Sequence, residues 1–237
     1  MHLSVVIPAY NEEKRLPETL KKVKAYLEKQ SYISEVLVVN DGSRDRTAAV
    51  VSDLVGKWQG FRLIDNKENR GKGVVVKQGM LAANGDWRLY MDADNSTDLS
   101  EIEKLWPYIK EYEIIAGSRY LKKDSIKIKQ PLIRRIVSRL GNILIRILLG
   151  IHSADTQCGF KLFSAKATKA IFPLQTMERW GAEMEVWAIA IKKGYKIKEV
   201  AVDWYDAKGS TVRKSAALQT LKELLIIKWN LMRGKYS

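Results

Sequence analysis

Two rhythms of apolar spacing run through the first 118 residues. Short unbroken runs such as Val5-Val6-Ile7 and Val36-Leu37-Val38-Val39 predict buried strands over 2–10, 35–40, 62–65, 87–91 and 113–116. Between them, apolar residues recur every three or four positions. Leu16, Leu20, Val23 and Leu27 predict a helix over 13–29, and further helices are expected over 45–58, 71–84 and 100–110. Strands alternating with helices of this length point to parallel βαβ units. The later chain is less regular. Helices are expected over 131–150, 181–193 and 216–233, with strands over 159–164 and 196–204. No stretch rich in Pro, Gly or Ser separates the parts, so the expectation is a single α/β domain over 1–237 with a mostly parallel sheet.

Polar residues gather at the predicted strand ends: Asn11-Glu12, Asp41-Gly42-Ser43 and Asp92-Ala93-Asp94. Ligands of open α/β sheets bind outside those carboxyl ends. Asp92 and Asp94 suit a hard divalent cation that bridges to phosphate, or an acidic turn that caps the next helix. Asp41-Gly42-Ser43 suits a nucleotide or a helix cap. Asn69-Arg70-Gly71-Lys72-Gly73 suits a phosphate cradle or a glycine turn with solvated charges.

Composition narrows the picture. The chain has 237 residues, 46% of them hydrophobic, which excludes disorder and fibrous classes. One cysteine, Cys158, excludes an internal disulfide framework, and two histidines make a His-ligated zinc site a poor expectation. The net charge of +14 is concentrated late in the chain. Residues 119–146 carry a net +8 and residues 208–237 a net +6. Such segments call for a polyanion, either nucleic acid or anionic lipid. Base-stacking aromatics interleaved with the cations would favour a nucleic-acid-binding module, but segment 119–146 offers only Tyr120, so nucleic acid is not the expected partner. The most apolar stretch, Leu140 to Ile151, contains Arg146 and is shorter than the ~18 to 20 residues of a membrane span. No signal peptide is expected, which points to a cytoplasmic protein.

On a helical projection, Arg134, Arg135, Ser138, Arg139, Asn142 and Arg146 share one arc of about 140°. Most apolar residues of 131–151 lie opposite, with Ile145 and Leu149 intruding on the polar arc. The segment reads as an interfacial membrane helix or as a core-packed helix with a basic outer face. The last helix, with Leu221, Leu225, Trp229 and Met232 among Lys222, Lys228 and Arg233, is a second interfacial candidate.

The motifs occur in a telling order: Pro8-Ala9-Tyr10-Asn11-Glu12, Val39-Asn40-Asp41-Gly42-Ser43, Asn69-Arg70-Gly71-Lys72-Gly73, Asp92-Ala93-Asp94, and Gly117-Ser118-Arg119. Asp155-Thr156-Gln157-Cys158-Gly159-Phe160-Lys161, Glu178-Arg179-Trp180 and Val202-Asp203-Trp204 follow. This series resembles the family-2 glycosyltransferases of the GT-A fold. Within them it most resembles the polyprenyl-phosphate sugar transferases, dolichyl-phosphate glucosyltransferases above all.

The resemblance implies a Rossmann-like GT-A domain. Residues 1–118 would bind the nucleotide sugar, 119–215 the acceptor, and 216–237 would form a C-terminal amphipathic helix. Pro8, Tyr10, Glu12 and Asp41 match positions that hold the donor base and ribose, and Lys72 a basic position near the nucleotide. Asp92 and Asp94 match metal ligands for Mg2+ or Mn2+ at the diphosphate. Arg119 matches an arginine that reaches donor and acceptor phosphates, and Arg134 with Ser138 a pair that binds the lipid phosphate. Glu183 and Glu185 fall at acidic catalytic positions. Two departures stand out. Ser96 replaces a glutamine that serves some relatives as a further metal ligand, and Lys208 or Arg213 must replace a lysine that meets phosphate.

The implied reaction is an inverting, metal-dependent transfer of a hexose to a polyprenyl or dolichyl phosphate by a peripheral protein on the inner face of a membrane. UDP-glucose is the expected donor and GDP-mannose the alternative. A glycan hydroxyl is the alternative acceptor, with Glu183 or Glu185 as general base. An acceptor phosphate is already an anion and needs cations rather than a base.

Overall fold

The computed structural model describes residues 2–122, 125, 143–205 and 216–236. Arg134, Ser138 and Arg213, expected at the acceptor phosphate, lie outside the described residues, as does Lys208. The elements in chain order are β1 (His2–Ala9), α1 (Leu16–Leu27), β2 (Ile33–Asp41), α2 (Thr47–Val55), β3 (Phe61–Asn66), α3 (Lys72–Ala82), β4 (Trp87–Met91) and β5 (Ile114–Ser118). There follow α4, helical over 143–149, then β6 (Phe160–Ser164), α5 (Ala165–Ile171), α6 (Gly181–Lys192), β7 (Ile197–Ala201) and α7 (Ala216–Met232).

One seven-stranded sheet runs in the order β3-β2-β1-β4-β6-β5-β7. Only β6 runs against its neighbours β4 and β5; β1, β2, β3, β4 and the β5–β7 pair are parallel. The expected halves on either side of residue 118 therefore share one sheet, with β6 of the later half inserted between β4 and β5. Successive residues of β1 enter opposite core layers, as the period of a strand requires. Val5 and Ile7 pack with α1, α2 and Leu99–Leu105, whereas Val6 packs with α3, α5, α6 and α7. Burial on both faces explains the unbroken apolar runs. Pro8 is tolerated inside the sheet because pairing of β1 with β4 stops at Val6.

Three elements differ from expectation. The helix expected over 100–110 is two short 3-10 turns, Leu99–Lys104 and Trp106–Tyr108. Pro107 has no N–H for an α-helical bond, and the chain tightens instead. Helix α5 had not been expected; Ser164 caps it by accepting from Ala167 N at 3.0 Å. The strand expected over 196–204 ends at Ala201.

Helices α4 and α7 turn apolar side chains outward. In α4, Ile145 is buried and Leu148 and Leu149 pack on the core. The two residues that intruded on the polar arc thus belong to the docked side. Ile143, Leu144 and Ile147 are exposed, Ile147 at 71%. In α7, Leu224 and Ile227 face inward, while Leu221, Leu225, Ile226, Trp229 and Met232 are exposed. Among the described residues, no helix is long and apolar enough to cross a membrane.

Candidate active site

The carboxyl ends of β1, β2 and β4 open on one edge of the sheet, and β6 begins there because it runs the other way. Asp92 directly follows β4. Its N–H donates to the Gly159 carbonyl at 3.1 Å, and one carboxylate oxygen accepts from Lys72 Nζ at 2.7 Å. A Cβ on Gly159 would lie 2.1 Å from Asp92 Oδ2, so only glycine there leaves room for this carboxylate. Asp94 Oδ1 accepts from the Ser96 N–H at 3.0 Å and its hydroxyl at 2.7 Å, an Asx turn. Asn95 between them has φ 53°, a left-handed conformation that asparagine tolerates.

The donor set suits a hard divalent ion. Asp92 Oδ2 and Asp94 Oδ2 accept no hydrogen bond among the described residues, and the Asp92 side chain is 37% exposed. Two carboxylates with open positions leave room for water and phosphate oxygens, as Mg2+ or Mn2+ prefers. Ser96 is spent on the turn and buried, so it does not replace the missing glutamine. Glu12 adds negative charge nearby. Burial raises its carboxyl above the ordinary range, partly offset by Arg15, and the Asp94 and Asp45 carboxylates push it further up. Arg15 grips Glu12 with both Nε at 2.7 Å and an Nη at 2.5 Å.

Lys72 links this crevice to α6. Besides Asp92, its ammonium lies 3.3 Å from Glu183 Oε1 and 6.0 Å from the Trp180 ring. Burial alone would lower its pKa, but the Asp92 and Glu183 carboxylates hold it above the usual lysine value. Glu183 Oε2 accepts from Tyr90 Oη and from Lys161 Nζ, each at 2.5 Å. Burial opposes ionisation of Glu183, yet Lys161 and Lys72 overcome it and take its pKa down to about 2. A small recess beside Lys72 is lined by Tyr90, Gln175, Trp180 and Glu183.

Asp41 plays a structural part at the nucleotide side. It accepts from Arg70 N at 2.8 Å, Gly71 N at 2.9 Å and Asn69 Nδ2 at 2.8 Å, and so ties the 69–71 loop to β2. Gly71 has φ 110°, open only to glycine, and a Cβ there would meet the Glu178 carbonyl at 2.6 Å. Tyr10 is exposed at the β1 end and Pro8 is buried within the strand.

Arg119 follows β5 and forms a forked pair with Asp155: Nε to Oδ2 at 2.7 Å and Nη2 to Oδ1 at 2.8 Å. Its guanidinium also lies 5.4 Å and 5.5 Å from the Tyr120 and Trp204 ring centres. Asp155 is fixed in turn by Glu199 on β7, which accepts from Asp155 N at 3.1 Å and Ala154 N at 3.0 Å. The Ser118, Thr156 and Gln157 side chains beside this pair each hold a buried polar atom with no hydrogen-bond partner among the described residues.

The two acidic residues expected as alternative bases differ sharply. Glu185, two residues along the helix, lies away from the Lys72 cluster. It is fully buried and accepts from Thr176 N and Oγ1, Met177 N and Tyr236 Oη, all within 2.7 Å. In this position Glu185 pins the 176–177 loop to α6. Glu183 sits in the cluster, but its two oxygens already face two ammonium groups. Sequence reasoning missed Lys161, Tyr90 and Asp155 as site residues. Lys161 and Asp155 stood inside the quoted motif stretch, where a buried lysine on a strand was the signal. Cys158 is buried and its thiol is pushed up to about 12 by burial, in keeping with an inert packing role.

Comparison with known proteins places these features in context. The profile described as glycosyl transferase family 2 matches residues 4–172. A dolichyl-phosphate beta-glucosyltransferase of Trichomonas vaginalis is 38% identical over 96% of this chain and 73% of its own length. The human dolichyl-phosphate beta-glucosyltransferase is 36% identical over 99% of this chain and 77% of its own. Glucosyl-3-phosphoglycerate synthase from Mycobacterium tuberculosis, solved with Mn2+, UDP-glucose and phosphoglyceric acid, superposes with a TM-score of 0.70 at 17% identity, over 96% of this chain and 80% of the other.

Proposed function

The chain belongs to glycosyl transferase family 2, and from that premise we propose that it transfers glucose from UDP-glucose to a dolichyl or related polyprenyl phosphate at a membrane surface. The chemistry is that of a glycosyltransferase. The observation that carries the choice of acceptor is the state of Glu183 and Glu185. Each carboxylate is buried and already engaged by cations or by four donors, and Glu183 is held near a pKa of 2. A carboxylate of that kind is a poor general base for a hydroxyl. A phosphate acceptor carries its own negative charge and dispenses with the base.

Asp92 and Asp94 would hold Mg2+ or Mn2+, which supplies Lewis-acid stabilisation of the departing diphosphate. The chain's own groups do the rest. Lys72 places an ammonium beside Asp92, where it meets diphosphate oxygens. Asp41 holds the 69–71 loop so that Lys72 stays in that position. Arg119 presents a guanidinium, pre-oriented by Asp155, to phosphate oxygens. Attack by the acceptor oxygen opposite the leaving diphosphate inverts the anomeric centre. Names of relatives support glucose and dolichyl phosphate, and the solved neighbour holds UDP-glucose with Mn2+.

The outward apolar faces of α4 and α7 support a peripheral seat on an anionic, cytoplasmic membrane face. Lys222, Lys228, Arg233 and Lys235 lie along or just after α7 and would meet anionic headgroups at about 1 kcal/mol each. Transfer of radiolabelled sugar tests the reading: UDP-glucose and GDP-mannose are offered with Mg2+ or Mn2+ and a short polyprenyl phosphate. Label from UDP-glucose in the lipid phase supports it. Label from GDP-mannose alone, or label only on added glycans, overturns it. Sedimentation with anionic and neutral vesicles tests the surface: binding to anionic vesicles that falls with salt is expected, and binding to neither refutes the membrane seat.

A further inference from the structure

Helix α7 docks through a mixed face: the polar Glu223 and Asn230 are buried alongside Leu224 and Ile227, while Leu221, Leu225, Ile226, Trp229 and Met232 face outward. The two polar residues lead to the active site by separate routes. Glu223 Oε2 accepts from Gly181 N at 2.7 Å, at the first residue of α6, and Oε1 accepts from Gln219 Nε2 at 3.0 Å. A Cβ on Gly181 would stand 2.7 Å from Glu223 Oε2, so the glycine admits the carboxylate. Asn230 Nδ2 donates to Tyr236 Oη at 3.0 Å, and Tyr236 Oη donates to Glu185 at 2.6 Å.

The routes converge on Lys72. The first turn of α6 carries Glu183, which shares Lys72 with Asp92. Glu185 fixes the 176–177 backbone, and the next carbonyl, that of Glu178, accepts from Gly73 N at 2.8 Å at the start of α3. A helix start leaves N–H groups without intrahelical partners and favours negative charge. Glu223 meets both needs for α6 from another helix, since α6 has no capping side chain of its own.

We propose that Glu223 is a positioning residue of the transferase: through Gly181 N it holds the first turn of α6, and with it the Glu183–Lys72–Asp92 chain, in register with the donor diphosphate. Glu223 acts through its contact with Gly181 N. Its loss leaves a buried N–H without an acceptor, and the first turn of α6 loosens. The role in transfer rests on the function proposed above; the role in α6 does not.

Two measurements separate these. Backbone hydrogen exchange is followed in the protein without donor or acceptor, for wild type, Glu223→Gln and Glu223→Ala. Glu223→Ala is expected to speed exchange at least ten-fold in peptides covering 178–186 and 71–76. Glu223→Gln, whose amide oxygen can still accept from Gly181, should stay near wild type. In transfer assays Glu223→Ala should lower kcat about ten-fold with the acceptor KM unchanged, and Glu223→Gln should restore it. Should Glu223→Ala fail to fold, Gly181→Ala displaces the carboxylate by its own Cβ and should give the same exchange signature. Exchange that changes only within α7, or an Ala variant with unchanged exchange at 178–186, overturns the proposal. A wild-type protein inactive with every donor refutes the transferase reading, while the exchange data still decide whether Glu223 holds α6.

Discussion

Glu183→Gln removes one charge from a cluster of four, Asp92, Lys72, Glu183 and Lys161, of which Glu183 and Lys161 are the buried pair. Lys161 is 1% exposed and its ammonium meets Glu183, the Cys158 carbonyl at 2.6 Å and the Tyr90 ring. The neutral amide keeps the shape but leaves Lys161 without its counter-charge. Breaking a buried pair from one side costs about 3 to 5 kcal/mol. The pKa of Glu183 leads to a similar figure. A fall from 4.5 to about 2, at ~1.4 kcal/mol per unit, is about 3 kcal/mol. The sign follows from the depressed value. This stabilisation is fully present above pH 4.5 and is lost as the pH falls toward 2. Urea unfolding of wild type and Glu183→Gln at pH 7, 5, 4 and 3 should therefore show a gap of about 3 kcal/mol at pH 7 and 5 that narrows at pH 4 and 3. Lys161→Met combined with Glu183→Gln should cost less than the sum of the single changes. A gap under ~1 kcal/mol at pH 7, or one that does not change with pH, would refute the assignment of Glu183 as an ionised anchor.

Gly159→Ala should force Asp92 aside, because the new Cβ would lie 2.1 Å from its carboxylate; transfer should fall at least a hundred-fold, with Mn2+ affinity in the presence of UDP weakened in calorimetry. Asp94→Asn should abolish transfer with little change in melting temperature, and excess chelator should silence the wild type; activity surviving either treatment removes the metal role. Asp155→Asn leaves the Arg119 guanidinium without its buried partner and should cost about 3 to 5 kcal/mol in urea unfolding; a loss below ~1 kcal/mol would show the fork to be dispensable.

The strands of the first half were legible because both sheet faces are buried, so Val5-Val6-Ile7 and Val36 to Val39 could be nothing polar. Their order was not, since pairing of β4 with β6 joins residues about seventy positions apart and leaves no local mark. Pro107 did carry a local mark that the helical spacing around it obscured. At the site, Asp92, Lys72 and Glu183 were recognisable singly through the family's motifs. Their joining into one charge chain depends on α6 lying against α3, a tertiary fact. Glu185 shows the reverse case. Its place two residues after Glu183 suggested a shared role, but on a helix two positions are half a turn apart, and the second carboxylate falls into the core.

The inserted strand β6 also has a consequence for how the protein is made. Strands β1 to β4 pair only with one another, apart from the outer side of β4, and can assemble once about ninety residues exist. Strand β5 pairs with β6 and β7 alone, so it is synthesised before either partner. At roughly 5 to 20 residues per second, the ribosome completes β6 a few seconds after β5. During that interval an apolar strand and the open side of β4 both lack partners. Slow codons placed between residues 119 and 159 would lengthen that exposure and raise aggregation, whereas the same codons after residue 201 would act on a finished sheet.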